Sequence, residues 1–162
     1  MSWLPRVGER TRERVSREFD NLGPDACIAE ILDELRRSNP EVLDMASRCA
    51  ADLGDAAQLM VGFGMFYRLL AAEARELRFE VLPRVSAQTR GRVARTIDEK
   101  GVEAFTRDAI AELESSNPEL LQIAHSFASR QPGASYLAAM QGFALLHACL
   151  MAQVADDAAT VH

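Results

Sequence analysis

Displaced by 78 residues, the sequence lies on top of itself. Leu4-Pro5-Arg6-Val7 falls on Leu82-Pro83-Arg84-Val85, and Thr11-Arg12-x-Arg14-Val15-x-Arg17 falls on Thr89-Arg90-x-Arg92-Val93-x-Arg95. Glu34-Leu35-x-x-Ser38-Asn39-Pro40-Glu41 falls on Glu112-Leu113-x-x-Ser116-Asn117-Pro118-Glu119. From Trp3 to Leu53 there are 21 identities in 51 positions. The displacement then becomes 80, and Met60, Gly62, Phe63, Leu70 and Ala72 meet Met140, Gly142, Phe143, Leu150 and Ala152. The two extra residues fall near Arg130-Gln131-Pro132-Gly133, a turn, where an insertion costs least. A repeat of this length makes whatever one copy folds into the template for the other. The 162 residues therefore read as a single domain of two repeats, 1–78 and 79–158, with 159–162 a short tail.

Each copy reads as four helices and no strand, because neither shows sustained period-two alternation or an Asn-Gly or Asp-Gly hairpin turn. The first helix covers about Glu9–Leu22, with Val7, Thr11, Val15 and Phe19 as a buried stripe repeated by Val85, Thr89, Val93 and Ile97. Gly23 and Gly101 stand where a helix needs a residue at positive φ to stop. The second covers about Asp25–Arg37, with Ile28, Ile31, Leu32 and Leu35 inward. Ser38-Asn39-Pro40-Glu41 reads as a capping box opening the third, whose apolar face is Val42, Leu43, Met45, Ala46 and Cys49. The fourth, about Ala56–Arg75 and Ser135–Val154, is apolar nearly all round, as a central helix is. Gly62 and Gly142 share one register in it. A mid-helix glycine costs about 1 kcal/mol relative to alanine, so a closely approaching helix is expected there. The expected fold is all-α, a tandem duplication of a four-helix unit packed as a pseudo-two-fold bundle. The alternative is a short α-solenoid of helical hairpins.

Charge and composition narrow the function. The net charge of −6 divides into −3 for residues 1–78 and −3 for 79–162, which argues against a general nucleic-acid coat. The longest stretch without a formal charge, Gln131–Ala155, contains Gln131, Ser135, Gln141, His147 and Gln153 and reads as a buried helix rather than a membrane span. Cys27, Cys49 and Cys149 form no C-x-x-C pair and no metal-ligand spacing. The start lacks an apolar run after its charges, so a cytoplasmic protein is expected.

Catalytic signatures are missing: G-x-S-x-G, the phosphate-binding loop, H-E-x-x-H and G-x-G-x-x-G do not occur. Gly62-Phe63-Gly64 sits in an apolar helix without the strand-turn-helix setting of a phosphate loop. Glu30 and Glu34 share a helix face, as do Asp108 and Glu112, yet without a Glu-x-x-His partner they read as a solvated face, so no metal or other cofactor is expected.

Two sets of residues remain as candidates. Arg12, Arg14 and Arg17 in the first copy and Arg84, Arg90, Arg92 and Arg95 in the second form repeated basic stripes that would touch an acidic protein surface or, less expectedly, nucleic acid. Residues 81–97 carry those four arginines and no acid, so the second stripe is expected to dominate. Gln58, Tyr67, Tyr136, Gln141 and His147 are polar groups in or near the apolar fourth helices and could line a small-molecule cavity between them. The expected function is a non-enzymatic protein-binding adaptor or regulator of a bacterial cytoplasm. A small-molecule sensor is the alternative, and a nucleic-acid-associated regulator acting through the second arginine stripe comes third.

Overall fold

The computed structural model describes residues 7–51, 56–76, 84–129 and 133–160. These form eight α-helices and, among the described residues, no strand: α1 Glu9–Leu22, α2 Pro24–Ser38, α3 Pro40–Ala51, α4 Ala56–Glu76, α5 Ala87–Lys100, α6 Val102–Ser116, α7 Pro118–Ala128 and α8 Gly133–Thr160. α1 and α5 both have 14 residues, and α2 and α6 both have 15. Their junctions agree in detail. Gly23 at φ 84° and ψ 150° and Gly101 at φ 86° and ψ 154° each close one helix and open the next. Each donates its N–H to the carbonyl four residues back, Phe19 or Ile97, and its own carbonyl accepts from Cys27 or Phe105. That backbone region is essentially closed to residues with a Cβ.

The expected stripes are inward. Val7, Thr11, Val15 and Phe19 are buried, as are Val85, Thr89 and Val93, while Ile97 is partly so. The two threonine hydroxyls on these stripes are satisfied by the central helices: Thr11 Oγ1 donates to Glu73 Oε2 of α4, and Thr89 Oγ1 to Asp156 Oδ2 of α8 at 2.5 Å.

α4 and α8 make the most extensive helix–helix contact. α1, α2 and α3 pack on α4, and α5, α6 and α7 on α8. The centre is tight because of two glycines. A Cβ on Gly62 would run into the carbonyl oxygen of Ala139, and one on Gly142 into the carbonyl oxygen of Leu59. The helix backbones are thus in direct contact at two points, as the mid-helix glycines led one to expect. Phe63, Phe66 and Phe143 fill the remaining space, with the rings of Phe66 and Phe143 edge to face at 5.5 Å. The stretch Tyr136–Ala159 is long and apolar enough to cross a membrane, but 67% of its most apolar window is buried inside the protein.

Two local expectations need correction. Ser38 does not cap α3. It is the last residue of α2, where its Oγ donates to the Glu34 carbonyl at 2.9 Å, and Ser116 does the same to Glu112. Asn39 occupies the junction instead, its carbonyl accepting from Val42 and Leu43. With Pro40 as the first residue of α3, the serine lies one position too early to cap it. α8 is also longer than the apolar pattern indicated, running 28 residues to Thr160. Thr89, Arg92 and Gln153 engage Asp156 and Asp157 and carry the helix past its apolar segment.

Candidate functional site: a charged groove on the first half

α2 presents Glu30, Asp33, Glu34 and Arg37 at helical positions i, i+3, i+4 and i+7, a single face. The buried positions Ile28, Ile31 and Leu35 turn inward. α1 brings Glu18, Phe19 and Leu22 alongside, and α4 brings Arg68 and Arg75 from below. Between them lies a groove of about 690 Å³. Cys27, Ile31 and Phe19 contribute buried apolar surface, and Leu22 stands at its edge with 52% of its surface exposed.

The charges in this groove form a chain. Arg68 donates from both Nε and Nη2 to Glu18 Oε2, at 3.1 and 2.7 Å, and its Nη1 lies 4.0 Å from Glu34. Arg75 donates to the other oxygen of Glu34 at 2.9 Å. The order is therefore Glu18, Arg68, Glu34, Arg75. Close to the end of the chain, Tyr67 and Ser38 share a 3.0 Å hydrogen bond. Burial raises the Tyr67 hydroxyl pKa, and Glu34 adds to the rise. Burial also raises the Cys27 thiol, reinforced by the negative fields of Glu30 and Glu18 against an opposing Arg68. Glu30 and Glu18 thus stand at the Cys27 end of the groove. Among the described residues, neither Glu30 at the Cys27 end nor Arg37 at the Ser38 end forms an ion pair.

The same positions in the second half hold different side chains. Glu18, Arg68 and Arg75 correspond to Thr96, Ala148 and Ala155, Arg37 to Ser115, Leu22 to Lys100 and Cys27 to Phe105. Glu112 remains without the arginines that hold Glu34. Where α5 and α6 meet the central helices there is a hollow of about 20 Å³, bordered by Ile97, Phe105 and Leu145.

The five residues expected to share a cavity between α4 and α8 are dispersed. Tyr67 faces Ser38 of α2. Tyr136 stacks on the exposed His125 and hydrogen-bonds its Nδ1 at 2.8 Å. Gln141 borders the 20 Å³ hollow, and Gln58 is half-buried in the first turn of α4. His147 is 2% exposed, edge-on to Phe66 at 6.0 Å, and neither ring nitrogen has a hydrogen-bond partner among the described residues. Desolvation lowers its pKa to about 4, so the ring is neutral.

The arginine stripes also divide. Arg84 pairs with Glu41 of the first half at 2.8 Å, Arg90 donates to the Val85 carbonyl at 2.8 Å, and Arg92 pairs with Asp156 at 2.7 Å. Arg95 is exposed. In the first half Arg14 is half-buried, while Arg12 and Arg17 are exposed and form no ion pair among the described residues. The second stripe, expected to dominate an outer surface, thus spends three of its four arginines on contacts inside the protein.

Sequence reasoning placed Glu30 and Glu34 on one face but not the groove they border. Its missing half is Arg68 and Arg75, two charges in a helix read as apolar nearly all round. Comparing the copies position by position would have found them, since both arginines are alanine in the second. Comparison of the chain with family models, with curated proteins and with solved structures gives no match.

Proposed function

We propose that this protein is a non-enzymatic adaptor or regulator of a bacterial cytoplasm, and that it binds another protein through the groove between α1, α2 and α4. The observation that carries this reading is the difference between the halves. One has a 690 Å³ groove with a four-charge chain and an exposed leucine, and the other has alanine, threonine and phenylalanine at the corresponding positions. Small-molecule sites are concave and largely apolar. An open groove with charged walls and an apolar floor has the features of a protein interface, an apolar centre within a polar rim.

The scaffold we propose is a tandem duplication related by a pseudo-two-fold axis passing between Gly62 and Gly142. The reciprocal approach of Gly62 to Ala139 and Gly142 to Leu59 supports it, because each glycine meets the residue three positions before its counterpart. In a solenoid each hairpin packs mainly on its neighbour, whereas here the most extensive contact joins the two distant helices α4 and α8. The small-molecule and nucleic-acid readings draw less support, since the polar residues of α4 and α8 are dispersed and most of the α5 arginines are used internally.

A photo-crosslinking side chain at position 22 or, in a second protein, at position 100 tests the assignment in living cells. A partner is expected to be captured from position 22 and not from 100. Once purified, that partner should lose binding to the Glu18→Thr/Arg68→Ala/Arg75→Ala variant, which carries the second half's residues. Equal capture from both positions, or binding indifferent to the triple substitution, would reject the groove as the binding site.

A further inference from the structure

The groove's charges are not all alike. Glu18, Glu34, Arg68 and Arg75 neutralise one another and Asp33 pairs with Arg36, whereas Glu30 and Arg37 line the groove with no ion pair among the described residues. These two are seven residues apart on α2. At 1.5 Å per residue they stand about 10.5 Å apart along the helix axis, on the same face. Glu30 lies at the Cys27 end, where the thiol responds to the negative field of two carboxylates. Arg37 lies at the Ser38 end. Between them on α2 stand Asp33, paired with Arg36, and Glu34, paired with Arg75, over a floor supplied by Ile31 and Phe19, with Leu22 exposed at the mouth. The unpaired charges thus give the groove a direction, negative at the Glu30 end and positive at the Arg37 end, above an apolar floor.

Resting on the reading of the groove as a protein-binding site, we infer that its occupant is an amphipathic helix of the partner, lying antiparallel to α2, with an acidic residue followed seven positions later by a basic one. Among the described residues there is no strand, so no sheet edge offers an extended segment a ladder. A cleft between helices is the surface on which a partner helix docks, through anchors at i, i+3, i+4 and i+7. Seven residues of a second helix also span about 10.5 Å, which brings its basic residue to Glu30 and its acidic residue to Arg37. The antiparallel direction follows from electrostatics. An acid towards a helix N-terminus and a base towards its C-terminus complement the helix dipole, and only the antiparallel arrangement puts that order opposite Glu30 and Arg37. The intervening third and fourth positions are apolar and meet Leu22, Ile31 and Phe19.

The test is selection of helix-forming 14-residue peptides displayed on phage, panned against the full chain. Enriched peptides are expected to carry Asp or Glu, apolar residues three and four positions later, and Arg or Lys at the seventh. A representative peptide should bind at least tenfold more tightly than its twin with acid and base exchanged, and Glu30→Arg/Arg37→Glu should invert that preference. Leu22→Lys, which installs the residue found at position 100, should abolish binding of both, with circular dichroism showing each variant folded. Binding lost in Leu22→Lys but indifferent to charge order overturns this inference and leaves the groove in place. No enrichment, or binding that survives Leu22→Lys, overturns the groove along with it.

Discussion

At the scale of single residues, the glycines separate into kinds that sequence alone does not distinguish. Gly62 and Gly91 both lie inside helices. A Cβ on Gly62 meets backbone, and one on Gly91 meets nothing within 4 Å. Gly91→Ala should therefore stabilise the protein by about 0.4–1 kcal/mol through the unfolded chain, while Gly62→Ala should destabilise it by several-fold more, because backbone cannot move aside as a side chain can. Urea unfolding of the two variants checks the opposite signs. His147 supplies a pH-dependent counterpart. Its folded pKa, about 4, lies below the ordinary value of 6.5, so the unfolded state binds the proton more readily. Stability should fall as pH drops from roughly 6.5 to 4, by up to about 3 kcal/mol at 1.36 kcal/mol per pKa unit. His147→Leu should flatten that part of the profile. Asp156, held down by Arg92 and Thr89, and Glu41, held down by Arg84, lose their contributions at lower pH, as they protonate. The acid limb below pH 4 should therefore persist in His147→Leu.

At the scale of elements, the chain of Glu18, Arg68, Glu34 and Arg75 ties α1, α2 and α4 together through three half-buried charges and the exposed Arg75. Removing one link strands its neighbours. Arg68→Ala leaves Glu18 without its partner and Glu34 with only Arg75, and should cost roughly 1–2 kcal/mol, the worth of a charged hydrogen bond discounted for partial exposure to solvent. Taking Glu18 and Arg75 away as well, as Thr and Ala, should cost less than the sum of the single changes, because charges that share a network are not additive. Thermal melts of the single and triple variants measure this. The helices themselves were legible from spacing. α1 begins and ends where its stripe and Gly23 indicated, and Ile28, Ile31 and Leu35 of α2 and Val42, Leu43 and Ala46 of α3 face inward as read, the Cys49 side chain lying outside the described residues. The α2–α3 junction was not, because Ser-Asn-Pro-Glu satisfies a capping pattern at the wrong residue, and only the position of Pro40 within the turn decides whether serine or asparagine stands at the boundary. The groove was illegible for a different reason. Its walls come from three helices, and Arg68 lies 50 positions from Glu18, so no local pattern joins them.

At the scale of the whole molecule, neither half can close its core alone. α4 without α8 would expose Phe63 and Phe66 and the backbone around Gly62, and α8 without α4 would expose Phe143 and Gly142. Residues 1–80 and 81–162 prepared separately should lack a cooperative thermal transition. Mixed in equal amounts they should recover helical signal and a single transition, helped by the Arg84–Glu41 pair that crosses between them. Two independently melting fragments would contradict a core shared between α4 and α8.

The unequal halves have one more consequence, in the counting of partners. A symmetric body with the groove on both sides would be divalent, able to bridge two copies of its target and to gain avidity from doing so. Among the described residues the groove lies on one side, so the proposed site is monovalent. A target held there as proposed should saturate at one per chain, with a Hill coefficient of one, so that the protein would cap a surface rather than join two of them.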